Sequence, residues 1–302
     1  MYDIVIVGAG PAGLTAALYA LRADKKVLVL EKETFGGQIT YSPNVENYPG
    51  FLKMSGNEFA EKLLDQVLTH GAEVELAEVT GITAEGKTRI VKTAEASYAT
   101  RSVILATGAR HRTLGLDGEA ELIGNGISFC ALCDGAFYSG RDVAVIGGGN
   151  SALQEAVLLS DVCKSVTIVQ NLPKLTGEAR LQKTLAEKEN VRIVCSHTVD
   201  AYLTNSSGLS GIRIKDADSG ELRELAVDGV FLAVGLVPQN APFAENVTLN
   251  DWGYVDADES CTTKDPAIFT AGDCRQKRVR QIATAISDGA AAALAACHYL
   301  DE

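Results

Sequence analysis

The sequence predicts an α/β fold in which one β-α-β unit occurs twice, the second copy inserted into the first. Three observations carry this. Residues 2–33, YDIVIVGAGPAGLTAALYALRADKKVLVLEKE, and residues 141–172, RDVAVIGGGNSALQEAVLLSDVCKSVTIVQNL, read alike. Each is an apolar strand, a glycine turn, a small-residue helix and a second apolar strand. The offset is constant, 139 positions from Gly8 to Gly147 and again from Gly10 to Gly149. Each copy also has a later strand ending in a similar turn, SVILATG at 102–108 and GVFLAVG at 229–235. Two Rossmann-like, three-layer ββα dinucleotide-binding domains are the economical reading.

The remaining elements follow in order. Residues 88–99 and about 199–226 hold alternating and polar stretches suited to small antiparallel inserts. Ala267-Ile268-Phe269-Thr270-Ala271-Gly272-Asp273 is one more apolar strand, and a long small-residue helix starts at about 281. That C-terminal segment is expected to return and complete the first domain. The predicted division is therefore 1–112 with 246–302, and 113–245 inserted, with linkers near 112–116 and 240–246 about which the domains could swivel.

Composition narrows the function. Of 302 residues, 46% are hydrophobic and 22% charged, as in ordinary globular chains with real cores. A net charge of -12 argues against general nucleic-acid binding, which needs clustered Lys and Arg. The chain enters its first strand at Tyr2 without a basic leader or apolar signal region, and no apolar run is long enough to cross a bilayer. A cytoplasmic protein with no membrane partner is expected. Seven cysteines stand at 130, 133, 163, 195, 261, 274 and 297. Only the first two are closely spaced, so neither a secreted disulfide scaffold nor a four-ligand metal site is expected.

The first glycine loop is Gly8-Ala9-Gly10-Pro11-Ala12-Gly13. Its first glycine allows the tight turn, its second lets backbone approach a pyrophosphate, and its third lets helix pack on strand. Free N–H groups at the helix start then face the phosphates. Glu31, 23 residues beyond Gly8, ends the second strand, where its carboxylate can accept adenosine ribose hydroxyls. A bare strand–helix turn is the bland alternative, which Glu31 disfavours.

Cys130-Ala131-Leu132-Cys133-Asp134-Gly135 is the chemical centre. Two thiols three apart at a helix start can close a disulfide, and the helix end favours one thiolate. Exchange with a partner disulfide runs through a mixed disulfide. Asp134 is placed to deliver a proton if burial raises its pKa. Half a zinc site or two buried structural cysteines are the alternatives.

Phe35-Gly36-Gly37-Gln38, Asn44-Val45-Glu46-Asn47-Tyr48-Pro49-Gly50, Ala106-Thr107-Gly108, and Thr270-Ala271-Gly272-Asp273 with Arg280-Gln281 resemble the low-molecular-weight thioredoxin reductases over nearly the whole chain. The resemblance implies FAD, held by Gly8, Gly10, Pro11, Ala12, Gly13, Glu31, Lys32, Gly37, Val79, Thr107, Gly108 and Gly272. It places Gln38 and Asn47 near the isoalloxazine, Asp273 at the ribityl or pyrophosphate region, and Arg280, Gln281 and Ile282 along the flavin edge. The start of the predicted helix from 281 would be a counter-dipole for reduced flavin. By the same resemblance Cys130 is the interchange thiol, Cys133 faces the flavin as the charge-transfer thiol, and Asp134 is the acid/base. A homodimer and a separate thioredoxin or similar small disulfide protein as acceptor are implied. A flavin dithiol oxidase and a non-catalytic flavin sensor are the competing classes.

The second loop, Gly147-Gly148-Gly149-Asn150-Ser151-Ala152, keeps the turn, but Gln170 stands where the first copy has Glu31. NADPH-dependent members of the resembled family carry His-Arg-Arg here and a further Arg four residues later. Gln170, Asn171, Leu172 and Thr176 fill those places, and Lys174 and Arg180 do not rebuild the fork. NADPH is therefore disfavoured. NADH, with Gln170 on the ribose, remains open. The chain is also similar to ferredoxin-dependent flavin thioredoxin reductases, which makes ferredoxin the expected donor. The run Arg275, Lys277, Arg278, Arg280 could guide an acidic carrier, or be a solvated loop.

Overall fold

The computed structural model describes residues 1–42, 44–206 and 208–302. The chain opens with β1 (Tyr2–Val7), α1 (Pro11–Arg22), β2 (Val27–Glu31), α2 (Gly56–Thr69), β3 (Glu73–Leu76), β4 (Val79–Glu85), β5 (Thr88–Thr93), β6 (Ser97–Leu105) and β7 (Ala109–His111). An inserted segment follows, with α3 (Glu119–Leu122), β8 (Ile127–Ser128), α4 (Ala131–Asp134), β9 (Asp142–Ile146), α5 (Asn150–Ser160), β10 (Ser165–Val169), α6 (Ala179–Ala186) and β11 (Val191–Val194). It continues through β12 (His197–Asn205), β13 (Gly208–Asp216), β14 (Leu222–Ala226) and β15 (Gly229–Leu232) to β16 (Leu236–Pro238). The chain then returns with β17 (Ile268–Thr270) and α7 (Ile282–Asp301).

Two compact units result: Met1–Arg110 with Val237–Glu302, and His111–Leu236. In the first, β3-β2-β1-β6 is a parallel run, β17 adds in parallel on β6, and β5 and β4 continue it antiparallel. Ile4 to Val7 are buried on both faces of their strand, as a central parallel strand requires. One face packs Ile4, Ile6, Val29 and Ile104 against α1 and α7. The other covers Val5, Leu28, Leu105, Val79 and Ile82 together with Phe243, Val247 and Val255. Burying each large side chain contributes about 1.5–3 kcal/mol. The small residues of α1 and α7 allow very close approach: a Cβ on Gly289 would lie 2.2 Å from Ala12 O.

The second unit repeats this plan with β11-β10-β9-β15-β8, all parallel. Its helical face packs Val143, Val145, Leu153, Leu159 and Leu185. Its other face packs Ile146 and Leu232 against Ile212 and Ile214 of the antiparallel sheet β12-β13-β14. The three layers are thus helix, parallel sheet and small antiparallel sheet.

The inserted unit runs from His111 to Leu236, against an expected 113–245. Residues 237–245 belong to the first unit, because Phe243 is fully buried in its core and Asn240 is fixed there by bonds from Nδ2 to Gly253 O (2.9 Å) and Cys274 O (2.8 Å). The crossovers are β7 and β16, which form a two-stranded sheet. The expected second linker, 240–246, is therefore not one.

Candidate active site

The first glycine loop has the geometry its spacing demands. Gly8 is left-handed at φ 107, and a Cβ there would lie 2.3 Å from Ala106 O. A Cβ on Gly13 would lie 1.9 Å from Gly8 O, so nothing larger than glycine lets α1 rest on the turn. Gly10 differs: a Cβ there would have nothing nearer than Gly36 O at 3.9 Å. Space over Gly10 is open and walled by the glycines Gly36 and Gly37. Gly10 caps α1 without any side-chain hydrogen bond, and Pro11 removes one donor, which leaves first-turn N–H groups for an anion. Glu31 is buried at the end of β2, its Oε2 accepting from Ala9 N (2.8 Å) and its Oε1 from Glu33 N (3.0 Å). Each oxygen keeps a lone pair for a ribose hydroxyl.

The other expected cofactor residues of this unit collect around two polar links. Thr107 Oγ1 donates to Asn240 Oδ1 (2.8 Å) beside Gly108, which is left-handed at φ 67. Asn47 Nδ2 donates to Gln281 Oε1 (3.1 Å), tying the 44–50 loop to the start of α7, where Gln281 and Thr284 form a capping box. Ile282 packs on Ile39, Val45 and Phe59 in a small cluster under that loop. Gln38 is exposed, as is Lys32, whose Nζ donates to Gln239 Oε1 (3.2 Å). Val79 is buried in the core, so only its backbone could meet a cofactor. Ala12 underlies Gly272, whose own Cβ would meet Ala12 Cβ at 2.8 Å.

Asp273 supplies the test of fit. Its Oδ1 is out of contact with solvent and has no hydrogen-bond partner. Burial pushes its carboxyl up to about 6, against the opposing pull of Lys277 and Arg280. A buried acceptor without a donor is expensive on its own and is satisfied by a hydroxyl of a bound group. An open glycine cradle, an uncapped helix start and an orphaned carboxylate fit a flavin dinucleotide.

The basic run beside it is not the guiding surface the sequence suggested. Arg275 is 2% exposed and grips Asp288 through Nε–Oδ2 (2.8 Å) and Nη2–Oδ1 (2.9 Å). Lys277 Nζ also lies on Asp288 Oδ2 at 2.8 Å. Burial alone would push the Asp288 carboxyl up, but these two cations outweigh it and hold it below the ordinary range. Arg280 stacks over Tyr254, 4.3 Å from the ring centroid. Only Arg278 of the four projects into solvent without such an anchor. Asp288, in α7 and 13 residues beyond Arg275, was invisible to local reading.

In the second unit, Cys130 and Cys133 are joined as a disulfide, with Cα atoms 5.3 Å apart. The helix expected to begin here is only the single turn α4, so its macrodipole is slight. Individual donors do the work instead: Cys133 N lies 3.2 Å from Cys130 Sγ. Ser128, not identified from sequence, bridges the turn. Its Oγ donates to Asp134 Oδ2 (2.6 Å) and accepts from Cys130 N (3.1 Å). Burial pushes the Asp134 carboxyl up, with the Ser128 bond partly opposing, and Oδ1 has no partner. Cys163, Cys261 and Cys297 are buried and pushed up by burial, which makes them inert at neutral pH. Among the described residues no three His, Cys, Asp or Glu side chains cluster as a metal site, and no helix is long and apolar enough to cross a membrane.

The second glycine loop mirrors the first. Gly147 is left-handed at φ 130, and its Cβ would meet Ala233 O at 2.5 Å. A Cβ on Gly149 would have nothing nearer than Thr176 Oγ1 at 3.9 Å. Ala9 O accepts from Gly36 N (2.8 Å), and Gly148 O likewise accepts from Thr176 N (2.8 Å) and Gly177 N (2.9 Å). Gln170 is 4% exposed and lies on Gly148, its Oε1 turned back to Asn171 N (3.1 Å). Asn150, first in α5, is locked to Glu178 by reciprocal bonds: Asn150 Nδ2 to Glu178 Oε1 (3.2 Å), and Glu178 N to Asn150 Oδ1 (2.7 Å).

A nucleotide cradle in each unit and a disulfide closed across a Cys-x-x-Cys turn in the inserted one define the class of flavin-linked disulfide oxidoreductases. The family model for "Pyridine nucleotide-disulphide oxidoreductase" matches residues 2–289, and the chain belongs to that family. It is 38% identical over 302 residues to the thioredoxin reductase of Bacillus subtilis (strain 168), covering all of this chain and 96% of the relative. It is 38% identical over 299 residues to the "34.2 kDa protein in rubredoxin operon" of Clostridium pasteurianum, covering 99% of this chain and 97% of that one. The crystal structure of thioredoxin reductase from Streptococcus pyogenes MGAS5005 superposes with a TM-score of 0.94 at 38% identity, covering 100% of this chain and 98% of that one. This chain is accordingly an FAD-binding flavoprotein disulfide oxidoreductase of the thioredoxin reductase type.

Proposed function

We propose that the chain takes electrons from a ferredoxin-type iron–sulfur carrier and passes them through Cys130–Cys133 to the disulfide of thioredoxin or a similar small protein. The observation that carries the donor is the second glycine loop. Gln170 lies buried against Gly148, and no cation accompanies it at 171, 172 or 176, so a 2′-phosphate has no charge-assisted partner there. The Glu178 carboxylate held at the first residue of α5 adds a charge of the same sign as a pyrophosphate. With Arg275 and Lys277 inside the protein, the basic run contributes little to docking that donor.

NADH is the second reading, because the space over Gly149 is as open as that over Gly10, and Gln170 can hydrogen-bond a ribose. The separating experiment offers NADPH, NADH and reduced ferredoxin in turn to the oxidised protein without oxygen. Prompt bleaching of the flavin by ferredoxin alone is expected. Bleaching by NADPH alone would overturn the donor. Air-dependent peroxide formation from a dithiol would point instead to an oxidase.

Gly10, Glu31, Asp273 and the Gly36–Gly37 wall would hold FAD. When bound, it supplies the two electrons that open the disulfide. The Cys130 thiolate attacks one sulfur of the partner's disulfide, forming a Cys130–partner bond as the partner's S–S bond breaks. The departing partner thiolate takes a proton from Asp134, whose carboxyl is pushed up by burial. Cys133 then attacks Cys130 Sγ, which re-forms the 130–133 disulfide and releases the partner as a dithiol. Because dithiol and flavin cradle belong to different units, a swivel about β7 and β16 serves both half-reactions. A crosslink between the units should stop turnover and leave flavin bound. A homodimer is expected by light scattering.

A further inference from the structure

Three buried carboxylate oxygens among the described residues lack any partner: Asp273 Oδ1, Asp134 Oδ1 and Glu155 Oε2. The first belongs to the flavin cradle and the second to the dithiol turn. The third has no part in the mechanism above. Glu155 is on α5, which packs directly on α4, the turn holding both cysteines. The backbone of Ala131, the residue after Cys130, reaches its carboxyl and favours the ionised form. Asp134 is the one charge that reaches it from the elements packed on α5, namely α4, α6, β9 and β10. Asp134 in turn accepts from Ser128 Oγ (2.6 Å), and its charge also acts on Tyr138.

We propose that Glu155, on the helix packed against the turn that carries both cysteines, is a positioning residue for the dithiol and takes up a proton when the disulfide is reduced. The inference rests on Cys130–Cys133 being the redox centre. Its physical basis is like-charge coupling. Reduction breaks the Sγ–Sγ bond with two electrons and leaves a thiol and a thiolate, a negative charge on the turn that α5 packs against. A second negative charge beside it in a dry site is unfavourable, so the reduced form binds the Glu155 proton more tightly than the oxidised form. In the disulfide form burial already pushes Glu155 up to about 8, with Asp134 adding to the push and the Ala131 bond opposing it. Above that pH the oxidised protein has lost this proton and the reduced protein retains it.

The consequence is one extra proton taken up per two electrons above about pH 8. For a two-electron couple, each proton adds a tenfold change in equilibrium constant per pH unit, which is 29.6 mV. Glu155→Gln mimics the protonated carboxyl and removes that proton. The experiment equilibrates the FAD-loaded protein with dithiothreitol redox buffers from pH 6 to 10 and reads Cys130–Cys133 by thiol trapping, which needs neither donor nor partner. Wild type and Glu155→Gln are expected to run in parallel below pH 7. They should diverge above pH 8 by about tenfold per pH unit, the variant being easier to reduce. Glu155→Asp, which still titrates, should bend like wild type. A merely structural role would displace the whole line without changing its slope. Parallel lines from pH 6 to 10 would overturn the inference, whereas a 130–133 disulfide that no dithiol opens would overturn the redox-centre reading instead. Should Glu155→Gln not fold, the wild type alone decides: reduction at pH 9 must increase the infrared band of protonated carboxyl, and an unchanged band rejects the proposal.

Discussion

Asp273→Asn should move two properties in opposite directions. The Asp273 carboxyl is raised to about 6 from an ordinary 3.8, chiefly by burial. A carboxyl with a raised folded-state pKa destabilises the fold once ionised. The penalty is absent below about 3.8, grows between 3.8 and 6, and is full above 6. At 1.36 kcal/mol per pKa unit this amounts to about 3 kcal/mol in the flavin-free protein at pH 7. Asparagine removes it, and apo-protein melting should rise, at about 2–4 °C per kcal/mol for a domain this size. The same substitution replaces a charged acceptor for a flavin hydroxyl with a neutral one. Hydrogen bonds to charged groups contribute about 1.5–3 kcal/mol, so FAD affinity should fall by about 10- to 150-fold. The assay is calorimetry or fluorescence melting of flavin-stripped protein with and without FAD, followed by FAD titration, at pH 7 and at pH 4.5. The gain in apo stability should shrink at the lower pH. An unchanged FAD affinity would refute the placement of Asp273 on the flavin, and a lower apo melting point would refute the burial argument.

Other expectations are simpler. Gly13→Ala puts a Cβ 1.9 Å from Gly8 O, and backbone cannot give way there, so the variant should be purified without flavin and melt lower. Arg275→Met leaves the Asp288 carboxylate buried without its fork and should cost about 3–5 kcal/mol in denaturant unfolding, although the residue never touches substrate. Retention of full stability would show that Lys277 alone neutralises Asp288. Cys130→Ser should keep its yellow colour and lose reduction of the partner disulfide in a coupled assay, and an active variant would exclude Cys130 as the attacking thiol.

What could be read from sequence was whatever local steric rules dictate. Gly8, Gly13 and Gly147 are legible because a Cβ on any of them would lie 1.9–2.5 Å from a backbone oxygen, which admits one residue type. The repeat is legible because two parallel strands and a helix need the same apolar spacing each time. Partners distant along the chain were not legible. Arg275 and Lys277 looked like a surface patch until α7 brought Asp288 beneath them. Glu155 stood at one polar position of an amphipathic helix, and only the packing of α4 on α5 makes it dry. Residues 240–246 looked like a linker by composition, but the burial of Phe243 and the bonds of Asn240 anchor them. Ser128 gave no signal, since a serine before a dithiol is common as a surface residue.

The grip of Asp288 has a bearing on how the protein survives loss of its cofactor. One carboxylate fastens Gly272 N (3.0 Å), Arg275 and Lys277 at once, so the segment on either side of Asp273 is braced by the protein's own side chains. Much of the ordering that flavin would otherwise impose is settled before it arrives. Stripped protein should therefore be recharged by simple mixing with FAD, at a rate set by encounter and not by refolding.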